Sequence, residues 1–307
     1  MSSVLYDAPG PKARARSRAI SIVGVILVLA ILAWLILAMG APKTSANGAV
    51  QPGLWDATRW DVFSDRQVWR SLGGGVIATL KMAGVAAVLA LIIGVLFSFG
   101  RTADHKAIRV PTAVVLEFVR GMPVLLMILF ILLVFSTGSY WAGVSALAIY
   151  NGAIIGEALR AGIQSLPRGQ REAGLAIGLT PLATRFTIEF PQAFRQMLPI
   201  IIAQLVVLLK DTSLAFIVGY SELLRVGVKN LPDFFGNRYL FSFFLVVLAI
   251  YLAMNLSLSW VARFVARRSG PKAGKLVDPE PTLTPKDPLA SVRGGYSTGD
   301  TGGQGPA

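Results

Sequence analysis

Residues 76–99 read VIATLKMAGVAAVLALIIGVLFSF, a long apolar run. An α-helix rises about 1.5 Å per residue, so a helix of this length can cross a hydrocarbon core of about 30 Å. Five more runs of similar character occur along the chain, at 20–39, 114–135, 141–159, 197–219 and 240–264. We therefore predict an all-α integral membrane protein with about six transmembrane helices.

The composition agrees with a chain surrounded by lipid. Of 307 residues, 54% are hydrophobic and 15% are charged, whereas soluble domains carry about 25% charged residues. Mean hydropathy is +0.63. The net charge of +13 does not indicate nucleic acid, because the basic residues are spread among the hydrophobic segments and form no single face or arm. The predicted surroundings are a lipid bilayer.

Several kinds of chemistry are excluded by residue content. The sequence has no cysteine and one histidine, His105, in the polar stretch RTADHKAIR. That position favours a solvated loop residue over a metal ligand or a catalytic base, and an embedded enzyme would need a reactive constellation. We therefore predict a non-catalytic chain without cofactor or metal.

The Lys and Arg clusters predict the orientation of the chain. Basic residues precede the first run and follow the second, fourth and sixth, and cytoplasmic loops carry an excess of such residues. An even number of spans with both termini in the cytoplasm follows. The segment after the first span then lies outside, with Trp55, Trp60 and Trp69 at the membrane interface.

Three regions result. Residues 1–19 form a basic cytoplasmic N-terminus, residues 20–269 the membrane domain, and residues 270–307 a tail rich in Pro, Gly, Ser and Thr. The tail is predicted to be disordered and cytoplasmic, because it has too little apolar surface to offset the entropy of ordering.

The loop between the fourth and fifth spans, 161–195, is long for a connection and has helical signals. Residues 170–177 favour a helix, and Gly178 suits the left-handed conformation just after a helix end. Thr180 can cap a second helix with Pro181 as its first residue. Two short helices joined at an elbow are predicted.

Small residues are expected to project from the first of these helices, namely Ala173, Gly174 and Ala176. Small side chains allow another protein to approach closely. An amphipathic helix lying on lipid headgroups is the alternative, and the residues alone leave both readings open.

The same loop resembles a known motif. Residues 172–191, EAGLAIGLTPLATRFTIEFP, are similar to the EAA motif of ABC importer permeases, with Gly174 in place of the second alanine and Phe190 in place of a leucine. In that family the motif forms the coupling helix that docks on a nucleotide-binding subunit. The resemblance assigns ATPase coupling to Glu172, Ala173, Gly174, Gly178, Ile188 and Pro191.

Residues 71–265 more widely resemble permeases of polar amino acid ABC importers, with type I (MetI-like) transmembrane domains. The stretches that carry this likeness are 117–126, 150–173, 190–199 and 208–225. The resemblance implies a bacterial cytoplasmic membrane protein that works by alternating access with an ATPase subunit dimer, a second and related permease chain, and an extracytoplasmic amino-acid-binding protein.

The expected cargo is glutamate or glutamine. Arginine or histidine is the alternative cargo, and a gradient-driven secondary transporter is a further alternative class. The sequence has no G-x-x-x-x-G-K-[ST] phosphate loop, so ATP would be hydrolysed by the partner subunit.

Charged residues within the apolar runs are candidate contacts along a passage. Lys210 and Asp211, followed by Thr212, interrupt the fifth run, and a charge at the bilayer centre costs about 2.5–3.5 kcal/mol on insertion scales. They are expected to face a protein partner or a water-filled path. A structural Lys–Asp pair that holds helices together is the alternative.

The fourth span offers Asn151, Glu157 and Arg160. Glu157 and Arg160 can pair on one helical face, or Asn151 and Glu157 can line the passage and contact the ammonium group of an amino acid. Glu117 and Arg120 repeat the pairing at the start of the third span, which Pro123 is expected to kink or open.

Overall fold

The structure is a computed structural model that describes residues 10–44, 48 and 50–269. The predicted tail, 270–307, and the first part of the N-terminal segment, 1–9, lie outside the described residues. The helices are α1 (Pro11–Gly40), α2 (Arg66–Thr102), α3 (Lys106–Gly121), α4 (Val124–Phe135), α5 (Gly138–Gln164), α6 (Arg168–Ala176), α7 (Pro181–Thr184), α8 (Phe190–Asp211), α9 (Leu223–Arg225), α10 (Leu231–Phe235) and α11 (Leu240–Ser269).

Shorter elements complete the chain. Two two-residue strands, β1 (Lys43–Thr44) and β2 (Val50–Gln51), pair antiparallel between α1 and α2. Four short 3₁₀ turns and two π turns connect helices. The 3₁₀ turns are Ala57–Arg59, Asp61–Ser64, Thr212–Phe216 and Asn237–Tyr239, and the π turns are Arg185–Glu189 and Val226–Asn230.

Five helical segments of the described residues are long and apolar enough to cross a membrane, and α3 with α4 adds a sixth if the bent pair counts as one. The two helices of that pair meet at 105°. Met122 and Pro123 stand at the break, so the bend predicted at Pro123 is confirmed. The third span, expected as one helix over 114–135, is instead two helices.

Glycines bring α2 and α5 into close contact. A Cβ atom on Gly152 would lie 2.7 Å from Cγ2 of Ile93, and one on Gly156 would lie 2.7 Å from Cβ of Phe97. Small residues allow helix backbones to approach in membranes, where dispersion contacts and hydrogen bonds hold helices together. The core of the bundle is built on this interface, which continues to Gly143 against Met82.

These contacts show that α2 and α5 run parallel, because residue numbers rise together along both helices. Parallel neighbours need a connection that returns across the membrane, so the bent pair crosses once. The contact of Gly162 with Met197 and the hydrogen bond between Asn151 and Gln204, 2.8 Å, show that α8 runs antiparallel to α5. Counting the bent pair as one span gives six candidate spans among the described residues, and those from α2 to α8 alternate in direction.

One end of the bundle carries an aromatic layer. The Trp55 indole donates to the carbonyl of Ile36, 2.8 Å, and its ring contacts Phe241 edge-on at 5.6 Å. Trp60 stacks on Trp55 at 6.4 Å. The layer therefore gathers the end of α1, the start of α2 and the start of α11 on one side, as expected for indoles at a membrane interface.

Two boundaries differ from the sequence expectation. Helix α1 begins at Pro11 and not near residue 20, because Lys12 and the arginines after it are good helix formers that extend the apolar helix. The fifth span is part of a continuous helical segment, Pro181–Phe216, so the second helix of the predicted elbow is not short.

Replacing Gly152 by valine should destabilise the purified chain by about 1–3 kcal/mol, because overpacking forces the helices apart. Thermal unfolding in detergent measures this. Gly84→Val is the matched control, since a Cβ on Gly84 in α2 meets nothing within 4 Å. Equal melting temperatures for the two variants would contradict the assigned interface.

Candidate functional site

Helix α6 ends in a motif that turns the chain sharply. Gly178 has φ +86°, a conformation that L side chains rarely adopt. Its N–H donates to the carbonyl of Leu175, 3.0 Å, and the N–H of Leu179 donates to the carbonyl of Gly174, 3.2 Å. These are the two bonds of a Schellman C-cap, and the prediction that Gly178 ends the helix is confirmed.

The second arm begins two residues later. Thr180 is the N-cap of α7, and its Oγ1 accepts from the N–H of Ala183, 3.2 Å, with Pro181 in the first turn. This start was predicted. The π turn Arg185–Glu189 then leads into α8, where Pro191 lies near the N-terminus. We call residues 168–189 the elbow.

The two arms of the elbow are locked together at Gly174. A Cβ atom there would lie 2.5 Å from Cγ2 of Thr184 and 3.0 Å from Cδ1 of Ile188. Gly174 is therefore buried between the arms, and the prediction that it projects outward with Ala173 and Ala176 is wrong for this residue. The sequence of the first helix does not reveal which of its small residues the second arm of the elbow will cover.

The outer surface of the elbow is apolar and exposed. Ala173 and Ala176 face solvent on α6, Ile177 is 76% exposed and Leu182 is 64% exposed. An exposed apolar patch that the rest of the described chain does not cover is typical of an interaction site.

Glu172 is exposed on α6, at the edge of a cavity of about 530 Å³ between the elbow and the ends of α2, α3 and α5. The cavity is lined by more guanidinium groups than carboxylates, including Arg101, Arg109 and Arg168. Within the described residues, Glu172 forms no ion pair with any of them.

Asp104, in the turn between α2 and α3, reaches both arms of the elbow. Its Oδ1 accepts from Arg171 at 3.0 Å and from Arg185 at 3.3 Å. The hydrogen bond from Arg171, with the positive charge of Arg185 nearby, lowers the pKa of Asp104 below its ordinary value. Sequence reasoning missed this residue, because its partners lie 67 and 81 positions away.

The polar residues of α5 are engaged within the bundle. Asn151 is fully buried, donates to the carbonyl of Leu147 and accepts from Gln204, both at 2.8 Å. Glu157 pairs with Arg160, as one reading predicted, and lies 3.6 Å from Arg101. Roles of Asn151, Glu157 and Arg160 along a passage stay predictions.

The pair at the start of the third span also forms, at 3.5 Å between Glu117 and Arg120. Both side chains are exposed, so the pair contributes little to stability.

Lys210 borders a groove of about 420 Å³ between α8, α9 and α11. The groove is mainly apolar, with Ser213, Tyr251 and Asn255 among its polar residues. Asn255 Oδ1 is buried and has no hydrogen-bond partner in the described part of the chain. A cation and an unsatisfied carbonyl oxygen in one groove suit a small zwitterion.

The neighbours of Lys210 take different positions. Asp211 is half-buried and forms no ion pair at salt-bridge distance in the described part of the chain, but the charge of Lys210 acts on its carboxylate. The alternative of a structural Lys210–Asp211 pair therefore stays a prediction. Thr212 is buried and donates to the carbonyl of Leu209, 2.7 Å, so its hydroxyl is used locally.

Glu222 is a second residue that sequence reasoning missed. It is fully buried, accepts from the N–H groups of Leu224 and Arg225 at the start of α9, and accepts from the Tyr251 hydroxyl at 2.5 Å. An acidic residue just before a short helical stretch is a capping signal, but only the tertiary structure brings Tyr251 to it.

No group of three His, Cys, Asp or Glu side chains that could hold a metal ion occurs in the described ranges. His105 precedes α3 and is exposed.

The fold is that of permease subunits of type I (MetI-like) ABC importers. In that class the spans alternate in direction, and one rigid elbow lies between the fourth and fifth spans. The chain is a member of the family described as binding-protein-dependent transport system inner membrane component, whose model matches residues 86–270. It is therefore a multi-pass protein of the plasma membrane, and membership implies an ATPase and a substrate-binding protein as partners.

Among individual relatives, the similar proteins are permeases of amino acid transporters. The glutamate transport system permease protein GluD of Corynebacterium glutamicum is 36% identical over 225 residues, which cover 70% of this chain and 81% of that protein. The probable glutamine ABC transporter permease protein GlnP of Bacillus subtilis is 34% identical over 197 residues, covering 62% of this chain and 90% of that one.

A solved structure is also similar. A crystal structure of an amino acid ABC transporter with histidines matches with a TM-score of 0.61 and 30% identity, over 68% of this chain and 98% of that chain.

Gly174→Ala should loosen the elbow, although alanine stands there in the motif, because the added methyl meets Thr184. We expect faster backbone hydrogen exchange over residues 168–184 in the purified chain. The double variant Gly174→Ala/Thr184→Ala should restore protection, since it removes the contact with Thr184 and a buried hydroxyl that has no hydrogen-bond partner among the described residues. Protection that stays lost in the double variant would contradict this packing.

Proposed function

We propose that this chain is the membrane-spanning subunit of an importer that moves glutamate or glutamine into the cytoplasm by alternating access. The observation that carries the proposal is the elbow, whose arms are fixed by a Schellman cap, an N-cap and the Gly174–Thr184 contact. Because the elbow is rigid, a displacement of its docking surface can move the attached helices without deforming the elbow itself.

The partner at the elbow is an ABC ATPase dimer, which hydrolyses ATP so that this chain needs no cofactor. The exposed Ala173, Ala176, Ile177 and Leu182 offer a surface that another protein can approach closely. Glu172 at its rim supplies a charge for an arginine or lysine of the ATPase. Six spans carry one elbow, so an ATPase dimer requires a second permease chain, which the resemblance suggests is a related one.

The elbow side is cytoplasmic, and the start of α1 and the end of α11 lie on that side. Support comes from the basic residues on that side, among them Arg101, Lys106, Arg109 and Arg168, because cytoplasmic ends attract such residues. The opposite side, with the tryptophan layer, then receives cargo from an extracytoplasmic binding protein.

The groove beside Lys210 is the proposed contact for cargo within this chain. Every amino acid has a carboxylate that the Lys210 ammonium can bind and an ammonium group that can donate a hydrogen bond to Asn255 Oδ1. Lys210 lies at the end of α8 on the receiving side, next to the 3₁₀ turn Thr212–Phe216. Such a break in a span frees backbone groups for a ligand.

The import cycle then has two states. Closure of the ATPase dimer draws the two elbows together, and the paired bundles open toward the binding protein. Release of hydrolysis products reverses the movement and opens the groove toward the cytoplasm. The energy of the cycle enters only through the elbow.

Glutamate or glutamine is favoured as cargo by the GluD and GlnP relatives. A basic amino acid is the second candidate, since the similar solved transporter contains histidines. Competition of unlabelled histidine and arginine against labelled glutamate and glutamine separates the two.

Deletion of the gene should abolish uptake of radiolabelled glutamate or glutamine by cells, and the wild-type gene should restore it. Glu172→Arg should not restore uptake while the protein still inserts, because it reverses a charge at the rim of the docking surface.

Asp233→Arg provides the control for that experiment. It makes the same charge change at an exposed residue of α10, away from the elbow. The ion pair with Lys229 that it breaks is exposed and contributes little to stability, so the variant should support normal uptake. Full uptake with Glu172→Arg would remove the coupling assignment, and unchanged uptake in the deletion strain would remove the cargo assignment.

Lys210→Met should raise the KM for uptake about tenfold or more, because a hydrogen bond to a charged group contributes about 1.5–3 kcal/mol. Initial uptake rates in proteoliposomes with the complete complex measure this. Lys229→Met, which removes an exposed lysine outside the groove, should leave KM unchanged. Equal KM values for wild type and Lys210→Met would exclude the groove as the cargo contact.

A further inference from the structure

The turn between α2 and α3 lies against the elbow and contacts both of its arms. A single carboxylate oxygen, Oδ1 of Asp104, holds Arg171 of the first arm and Arg185 of the second. The arms are joined to each other by local packing, but Asp104 joins them to a different part of the bundle.

Arg185 is the more buried of the two partners of Asp104. Arg185 is 4% exposed, and its other carboxylate, on Glu189, is 3.9 Å away. The Asp104 carboxylate is half exposed, but its loss would leave the buried Arg185 with only the longer contact to Glu189 to compensate its charge. Arg171 is more exposed than Arg185 and donates the shorter hydrogen bond to Asp104, 3.0 Å against 3.3 Å.

An aromatic contact runs beside the ion pairs. Phe99, near the end of α2, stacks on Phe186 of the elbow at 5.4 Å and packs against Phe190 at the start of α8 at 5.3 Å. Aromatic pairs at such distances add about 0.5–1.5 kcal/mol beyond the area they bury. The end of α2 is therefore attached to the elbow by two kinds of interaction that do not share residues.

Helix α2 is in turn tied to α5 through Gly152 and Gly156. A displacement of the elbow can therefore be transmitted to the bundle by two routes. One runs along the chain through α8, and the other runs through the α2–α3 turn into the α2–α5 pair.

We propose that Asp104 is a positioning residue that makes the elbow and the adjoining end of α2 move as one body during transport. The inference rests on the proposed function, because it concerns how the movement of the ATPase dimer is passed from the elbow to the helices of the bundle. Without the carboxylate, the elbow still docks and the ATPase still turns over. The α2–α5 pair then follows the elbow incompletely, and fewer cargo molecules cross per ATP.

The first test uses the complete complex in proteoliposomes and measures ATP hydrolysis and cargo uptake together. Asp104→Asn keeps the size of the side chain and removes its charge. Hydrolysis should stay near the wild-type rate, and cargo per ATP should fall about threefold or more, within the range by which residues on a coupling route alter coupling.

Two variants accompany this test. Asp104→Glu should recover most of the lost cargo per ATP, because the charge returns. Asp61→Asn, which removes an exposed carboxylate on the opposite side that lies 3.9 Å from Arg238, should behave as wild type. Unchanged cargo per ATP in Asp104→Asn overturns the proposal.

A second readout is independent of cargo. The chain has no cysteine, so cysteines placed at Lys106 and Gln170 accept spin labels selectively. We expect the same narrow label distance with and without ATP when Asp104 is present, and a broader distribution in Asp104→Asn. A distance that changes on ATP binding with Asp104 intact also overturns the proposal.

The two readouts separate failure of the inference from failure of the proposed function. A wild-type complex that does not couple ATP hydrolysis to uptake refutes the proposed function, and the label distances without nucleotide still report whether Asp104 holds the elbow. A wild-type complex that couples normally, together with a fully coupled Asp104→Asn variant, refutes the inference alone.

Discussion

The close packing of α2 against α5 is the constraint on which the rest of the bundle depends. Gly152 and Gly156 allow the two helices to touch along parallel paths, and parallel neighbours force the chain to cross the membrane between them. That crossing is made by the bent pair α3 and α4. The return of α8 beside α5 then places the elbow at the same end as the turn between α2 and α3, so the features that matter for coupling meet at one surface.

Polar groups inside the bundle are placed according to the cost of leaving them unsatisfied. Asn151 and Gln204 satisfy each other where α5 and α8 cross, and Glu222 is held by backbone N–H groups and Tyr251. Lys210 and Asn255 are different. Both line one groove, the Lys210 ammonium donates no hydrogen bond within the described residues, and Asn255 Oδ1 accepts none there. This contrast separates groups that hold the fold from groups available to a ligand.

Local signals predicted local structure well. Apolar length located the spans, Pro123 marked the bend, and Gly178 and Thr180 marked the two sides of the elbow, because each acts on backbone only a few residues away. Prediction failed where distant segments decide the outcome. Gly174 was expected at the surface but is covered by Thr184, and the link from Asp104 to Arg185 depends on three elements that only the folded bundle brings together.

Helix α1 has no packed face along its apolar length, and hydrogen bonds tie it near one end, where Trp55 and Leu54 reach the carbonyls of Ile36 and Met39. Along the apolar length of α1, no neighbour among the described residues fixes its rotation about its own axis. The residues of α1 therefore stabilise its insertion through their summed free energy of transfer into lipid, and the order in which they occur matters little. Aliphatic residues can interchange along this span at little cost, whereas the neighbouring spans must keep particular shapes at particular sites.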